Sequence, residues 1–273
     1  MNAIFHSPHI LLQPYIKGYC YVNIKISDFE KPLDIHPVGH SMITFVINEN
    51  KILNQESSDF DYNFRFSYTG HVCRHISFKP LENFIELVLV AFTSTGAFEL
   101  FGLSQQALIN QAWPIGEILP HALEIQSQLE DHANNPYQIM KTLENWLLEQ
   151  AVKKIKKKPV PIDYACQLIR DHRGTLRIKD LCNKVGISQT VLENNFNERT
   201  GLSPKMYSRI VRFLNIHQMI RNSATLDWSD LVYHFDFFDQ AHFIKEFKSF
   251  FGYSPSKIHL SSQNLAKDIA LGL

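Results

Sequence analysis

The C-terminal part of this chain writes one structural unit twice, and a duplication in register leaves few folds open. Ile178, Leu181, Cys182 and Val185 fall at i, i+3, i+4 and i+7, which is one face of a short helix. Trp228, Leu231, Val232 and Phe235 repeat that spacing fifty residues later. Each set is followed by a turn, Gly186-Ile187 in the first copy and Asp236-Phe237-Phe238 in the second. A second helix then carries Leu192 and Phe196, or Phe243 and Phe247. The offset has become fifty-one and stays so through Gly201 against Gly252 and Ser203-Pro204 against Ser254-Pro255, so the second copy has one more residue in its turn. Between the copies Pro204 opens a long helical segment, with Met206, Ile210, Phe213 and Leu214 as its apolar stripe and Arg209, Arg212 and Arg221 as its charge.

Helix, tight turn, helix is the unit whose second member fits the DNA major groove. Gly186 suits a turn that needs positive φ. Ser188 and Asp239 stand at the N-cap positions, and an exposed helix N-terminus also attracts phosphate. A rigid helix between the copies would hold two reading helices about one DNA turn apart, ~34 Å, so that one chain occupies two successive major grooves. With Leu192 and Phe196 inward, the first unit presents Ser188, Gln189, Thr190, Glu193, Asn194 and Asn197 to DNA. Asn and Gln pair two-pronged with adenine, and Glu accepts from cytosine or else is repelled by the backbone. The second unit presents Asp239, Gln240, Ala241, Ile244, Lys245 and Lys248. Its two lysines suit phosphate better than bases, and His242 suits capping or packing better than reading.

Charge supports this division. Residues 1–150 hold 8 Lys/Arg against 16 Asp/Glu, whereas 151–273 hold 19 against 11. Only the second half is built to meet a polyanion. The length of 273 residues accommodates two cores. Cys20, Cys73, Cys166 and Cys182 lie far apart with no CxxC pair, as in a reducing compartment. The first twenty residues lack the pattern of a signal peptide, and the apolar run 87–92 is too short to span a bilayer, so a soluble, cytoplasmic protein with no membrane partner is expected.

The first half reads as β-rich, with strands expected at 18–26, 41–47, 64–68, 72–78 and 84–92. Their weak alternation suits strands buried on both faces or barrel staves. From residue 117 the period turns helical, first with Ile118, Ala122, Ile125 and Leu129, then with Ile139, Leu143, Trp146 and Leu147 after Asn134-Asn135-Pro136. Those two stripes would cover either their own sheet or a partner copy in a homodimer. The lysine-rich stretch 153–161 ends the helix at its prolines and reads as a solvated linker that could also touch phosphate. Tyr15, Tyr19, Tyr21, Phe45, Phe64, Phe66 and Tyr68 would suit a small-molecule pocket but suit an ordinary core better. His36 and His40, like His71 and His75, are four apart, yet in extended chain that is ~13 Å and no metal pair. No nucleophile elbow or phosphate-binding loop is present. Neither a catalytic residue nor a cofactor is expected.

Residues 162–260 resemble the AraC/XylS-type DNA-binding domain of bacterial regulators. The resemblance rests on Leu181, Gly186, Ser188, Leu192, Phe196, Gly201, Ser203-Pro204 and Arg212, then Phe237, Asp239-Gln240, His242-Phe243, Phe247-Lys248, Gly252 and Ser254-Pro255. His36-Pro37-Val38-Gly39, the stretch Ser77-Phe78-Lys79-Pro80 and the stretch 95–102 resemble, less tightly, the sensory half of a subgroup of the same regulators. Cys182 and Val232 depart from the family's small alanine, and Asp236 from the glycine of the second turn. The resemblance implies an α+β chain. Its first part, 1–152, would be an effector-binding and dimerisation domain, a cupin-like barrel or sandwich with two trailing helices. The basic linker 153–161, an all-α domain of two helix-turn-helix units joined by a long helix at 162–260, and a tail at 261–273 would follow. The implied function is transcription regulation at a double-stranded DNA promoter under a small-molecule effector, with RNA polymerase as partner of an activator. A cupin-like metal-dependent enzyme and an architectural DNA binder are the alternatives.

Overall fold

Short runs of β-branched and aromatic residues in the first half become strands, because such side chains pack well on a pleated surface. The computed structural model describes residues 2–25, 33–47, 53–55, 64–80, 84–153, 161–222, 228–235 and 237–257. Its strands are β1 (Asn2–His6), β2 (Ile16–Lys25), β3 (Leu33–Ile35), β4 (Met42–Val46), β5 (Leu53–Gln55), β6 (Phe66–Thr69), β7 (Ile76–Pro80), β8 (Phe84–Phe92) and β9 (Ala112–Pro114). They form a six-stranded sheet in the order β1-β2-β8-β4-β6-β9 and a three-stranded sheet β3-β7-β5. Every pairing is antiparallel. The weak alternation has a direct cause. On β8, Val88, Val90 and Phe92 join the large core, while Leu87 and Leu89 pack with Cys20 and Val22 in a second cluster.

Two expectations need correction. The strand foreseen at 72–78 begins only at Ile76. Before it the chain pairs with an irregular loop: the Asn110 amide donates to the His71 carbonyl at 2.9 Å, and the Cys73 amide to Asn110 Oδ1 at 2.9 Å. The helix foreseen from 117 is broken into α2 (Ile115–Ile118), a 3-10 segment (Pro120–Ile125) and α3 (Gln126–Asp131). Pro120 is the reason, since proline drives its predecessor out of the helical region, and Leu119 sits at φ −132° and ψ 77°. A further helix, α1 (Gly96–Phe101), precedes these, and α4 (Pro136–Lys153) follows. Ala122, Ile125, Leu129, Ile139, Leu143, Trp146 and Leu147 all enter the core of the six-stranded sheet. The stripes therefore cover their own sheet, and the reading of them as a dimer face is withdrawn.

The second half is helical: α5 (Ile162–Asp171), α6 (Ile178–Val185), α7 (Gln189–Thr200), α8 (Pro204–Asn222), α9 (Trp228–His234) and α10 (Gln240–Phe251). Its core is rich in phenylalanine, with Phe213 stacked on Phe250 at 4.7 Å and Phe247 tilted against Phe251 at 4.6 Å. Cys73 and Ile109 from the first half pack against it. Among the described residues, no helix is long and apolar enough to cross a membrane, and the cysteines are free thiols. Residues 154–160 of the lysine stretch, Asp236 and the tail from 261 lie outside the described residues.

Candidate nucleic-acid interface

The first unit is built from α6, a turn and α7. Gly186 ends α6 in the left-handed region at φ 74°, where an added side chain would be strained. Ser188 then turns extended, and its side chain accepts the Val191 amide at 3.4 Å, leaving the start of α7 capped and exposed. Leu192 and Phe196 are fully buried and fix the rotation of the helix. Ser188, Gln189, Thr190 and Asn194 are exposed on the opposite side, whereas Glu193 and Asn197 are half-buried. Gln189 Nε2 donates to Glu193 Oε1 at 2.8 Å, so these two side chains form one joint polar group.

The second unit repeats the construction. Asp239 is extended and its carboxylate accepts the His242 amide at 2.7 Å. Phe243 and Phe247 are fully buried, and Gln240, Ala241, Ile244, Lys245 and Lys248 are exposed with Asp239. The His242 ring stands edge-on to Phe237 at 5.9 Å, a packing contact. Both units hang on α8, 19 residues long, which spans about 28 Å at 1.5 Å per residue. Tyr207, Ile210, Phe213, Ile216 and Ile220 bury its inner side. Two of its arginines serve the fold. Arg209 Nη2 donates to Glu246 Oε1 at 2.5 Å and its guanidinium lies over Phe250, while Arg212 donates to the Gly174 carbonyl and lies over Phe237.

The N-terminal half holds both units at the C-terminal ends of α7 and α10. At the first, Arg199 pairs with Glu99 and lies over Phe98, and the Gln105 amide donates to the Glu198 carbonyl at 2.9 Å. At the second, His36 Nδ1 donates to the Phe250 carbonyl at 3.3 Å and packs against Phe251 and Tyr253. The equivalent glycines Gly201 and Gly252 cap the two helices at φ 74° and 76°. A Cβ on Gly201 would come within 2.6 Å of the Gln105 carbonyl, and one on Gly252 within 2.6 Å of the His75 ring.

Between the halves lies a cavity of about 440 Å³ lined by Lys17, Val38, Gly39, His40, Thr93, Ser94, Arg170, Tyr207, Val211, Leu214 and Asn215. Arg170 Nη1 donates to Tyr207 Oη at 2.9 Å and to Ser94 Oγ at 3.3 Å, and Ser94 Oγ and Tyr207 Oη share a hydrogen bond of 2.6 Å. Desolvation and the charge of Arg170 push Lys17 down to about 8. Burial, then the charges of Lys17 and His71, holds His40 well below the usual imidazole range, and neither of its ring nitrogens has a hydrogen bond of normal geometry. Burial pushes His71 to about 4, although its Nε2 donates to the Ser94 carbonyl at 3.2 Å. The lining has two cations and no carboxylate.

Sequence reading did not find this cavity, because its lining comes from several distant segments and no local spacing joins them. It also paired the histidines along the chain, whereas His36 stacks on His75 at 5.4 Å and His40 feels the charge of His71. The described residues hold no group of three or more His, Cys, Asp or Glu placed to bind a metal ion. Of the aromatic residues that would suit a pocket, Tyr19, Tyr21, Phe45, Phe66 and Tyr68 are buried in the main cluster, Tyr15 packs against it, and Phe64 is half-buried.

Comparison with known proteins finds a match in the helical second half. A helix-turn-helix domain family matches residues 181–259. The Msm operon regulatory protein of Streptococcus mutans is 33% identical over 91 residues, 33% of this chain and 32% of that protein. The chain thus spans about a third of the length of this curated relative. Among solved structures, ToxT from Vibrio cholerae superposes with a TM-score of 0.47 at 12% identity, covering 88% of this chain and 97% of that one. ToxT with a bound unsaturated fatty acid gives 0.46 at 10% identity, covering 87% and 94%.

Proposed function

We propose that this chain, whose residues 181–259 match a helix-turn-helix domain family, is an AraC/XylS-type, sequence-specific DNA-binding transcription regulator that sets α7 and α10 in two successive major grooves. One observation carries the reading: two capped helices, each with an exposed outer face and a fully buried Phe pair or Leu–Phe pair, are fixed to one continuous helix α8. The domain limits 1–152, 153–161, 162–260 and 261–273 belong to this proposal, which two separate buried clusters, one within residues 12–147 and one within 162–251, support. Selection of bound fragments from genomic DNA tests it. A regulator yields a shared site preferred over random DNA by roughly a thousandfold or more, whereas a ratio near one identifies an architectural binder.

The cavity between the halves is the proposed effector site. Its paired cations, polar Ser94–Tyr207 edge and Val38, Val211 and Leu214 wall suit a small anion with an apolar body. Because it is lined from both halves, a ligand there would favour one relative placement of them over another. Titration with aliphatic and aromatic carboxylates and with phosphate should raise the unfolding temperature, and Arg170→Ala should remove that rise. A promoter reporter then separates activation, with RNA polymerase as partner, from repression. Sedimentation with and without DNA decides whether the chain acts as a homodimer. The cytoplasm is the compartment in which such a protein meets its promoter.

A further inference from the structure

We infer that the second helix-turn-helix unit reads thymine, through the C5-methyl groups on the major-groove floor, with Ala241 and Ile244 on α10 and Phe238 just before its cap. The inference rests on the proposed seating of α10 in the groove. The two units share their geometry but not their chemistry. At the fifty-one-residue offset, Thr190 corresponds to Ala241, Glu193 to Ile244, Asn194 to Lys245 and Asn197 to Lys248. The face that carries hydrogen-bonding groups on α7 is therefore apolar at its centre on α10, with lysines beside it.

These side chains lie on the outer side of the unit, away from its core. Phe238 is 91% exposed and Ile244 38% exposed, while Phe235, Phe237, Phe243, Phe247, Phe250 and Phe251 already fill the core of the same unit. Phe238 immediately precedes Asp239, so it stands at the N-terminal end of α10, the end that meets base edges when a reading helix enters the groove. The occupant is chosen by two further facts. The thymine methyl is the one apolar group that base pairs present in the major groove, and alanine and phenylalanine are among its usual contacts. Lys245 and Lys248 give the flanks of this apolar stripe the charge that phosphates require. The neighbouring carboxylate, Glu246, is tied to Arg209 at 2.5 Å.

The test removes the methyl group and nothing else. With the full chain and its selected site, each thymine of the half-site under α10 is replaced in turn by deoxyuridine, and affinity is measured. Each contacted thymine should cost about fourfold on replacement, the value of one buried methyl. Ile244→Ala should abolish the penalty at one thymine and Phe238→Ala at another, both side chains being exposed enough to leave the fold intact. Lys248→Ala should weaken binding while every uracil penalty persists. Uracil tolerated throughout that half-site, with the site itself still bound, overturns the inference and assigns the apolar patch to a protein partner instead. Penalties that survive both Ile244→Ala and Phe238→Ala overturn it as well. Failure to select any preferred site is a different result, because it removes the regulator reading first and this inference with it.

Discussion

Asn194 stands exposed on α7, between one and two turns from the cap and beside the Gln189–Glu193 hydrogen bond. Its amide can address a base edge in two prongs, so Asn194→Ala should change which base is preferred at one position of the site, a discrimination worth about 1–3 kcal/mol. Lys248→Ala should instead weaken every sequence alike and reduce the slope of log affinity against log salt by about one. Binding to randomised sites separates the two outcomes, and a uniform loss for Asn194→Ala would sink its assignment as a reader. A second residue-scale prediction concerns His71. Its ring stays neutral when folded down to about 4 because it is buried, whereas the unfolded chain takes up the proton at the ordinary value near 6.5. The unfolded state thus binds more protons below 6.5, and stability falls as pH drops from there towards 4, by about 3 kcal/mol in all. Urea unfolding across that range should show the loss, to which the buried His40 adds its own share, and His71→Gln should reduce it by the His71 part. Residue identity gave the first prediction at once. The second needed the fold, since nothing beside His71 in the chain announces its burial.

At the scale of elements, helices α7 and α10 were legible because their information is local. Leu192 with Phe196 and Phe243 with Phe247 mark the inner faces by spacing alone, and Ser188 and Asp239 mark the starts. The caps differ in strength. Asp239 accepts at 2.7 Å with a charge at the positive end of α10, while the Ser188 bond is 3.4 Å long. Ser188→Ala and Asp239→Ala should each cost about 1 kcal/mol, with Asp239→Ala the larger, as read by thermal unfolding. Elements in the first half were less legible. The short strands β3, β5 and β9 have three residues each, too few to show a period, and they exist because neighbouring strands offer free hydrogen-bonding edges. The stretch before β7 has strand composition, yet its hydrogen bonds go to the Asn110 loop. Composition cannot specify a partner.

For the whole molecule, the contacts that matter join the two halves. One of them is the ion pair of Glu99 with Arg199, with side chains 26% and 12% exposed and the guanidinium also over Phe98. Removing either partner leaves a shielded charge, so Glu99→Ala and Arg199→Ala should each cost about 1.5–3 kcal/mol. The double variant should cost clearly less than their sum in a denaturation cycle; strict additivity would show that the pair is not coupled. Since Arg199 closes the end of α7, the same variants also report whether the N-terminal half constrains the first reading helix.

By itself the sequence determined the duplicated unit, the inner and outer faces of its helices, their caps, and the charge contrast between the halves. Each of these is a property of neighbours along the chain or of a simple sum over it. Tertiary structure alone decided that Arg209 and Arg212 brace α8 against its surroundings, that the apolar stripes of residues 118–147 cover their own sheet, and that His36 meets His75. It also brought Lys17 and Arg170 to one cavity from opposite halves of the chain. Periodicity tells which side of an element is covered; what covers it depends on which distant surfaces pack together, and no spacing in the sequence records that choice.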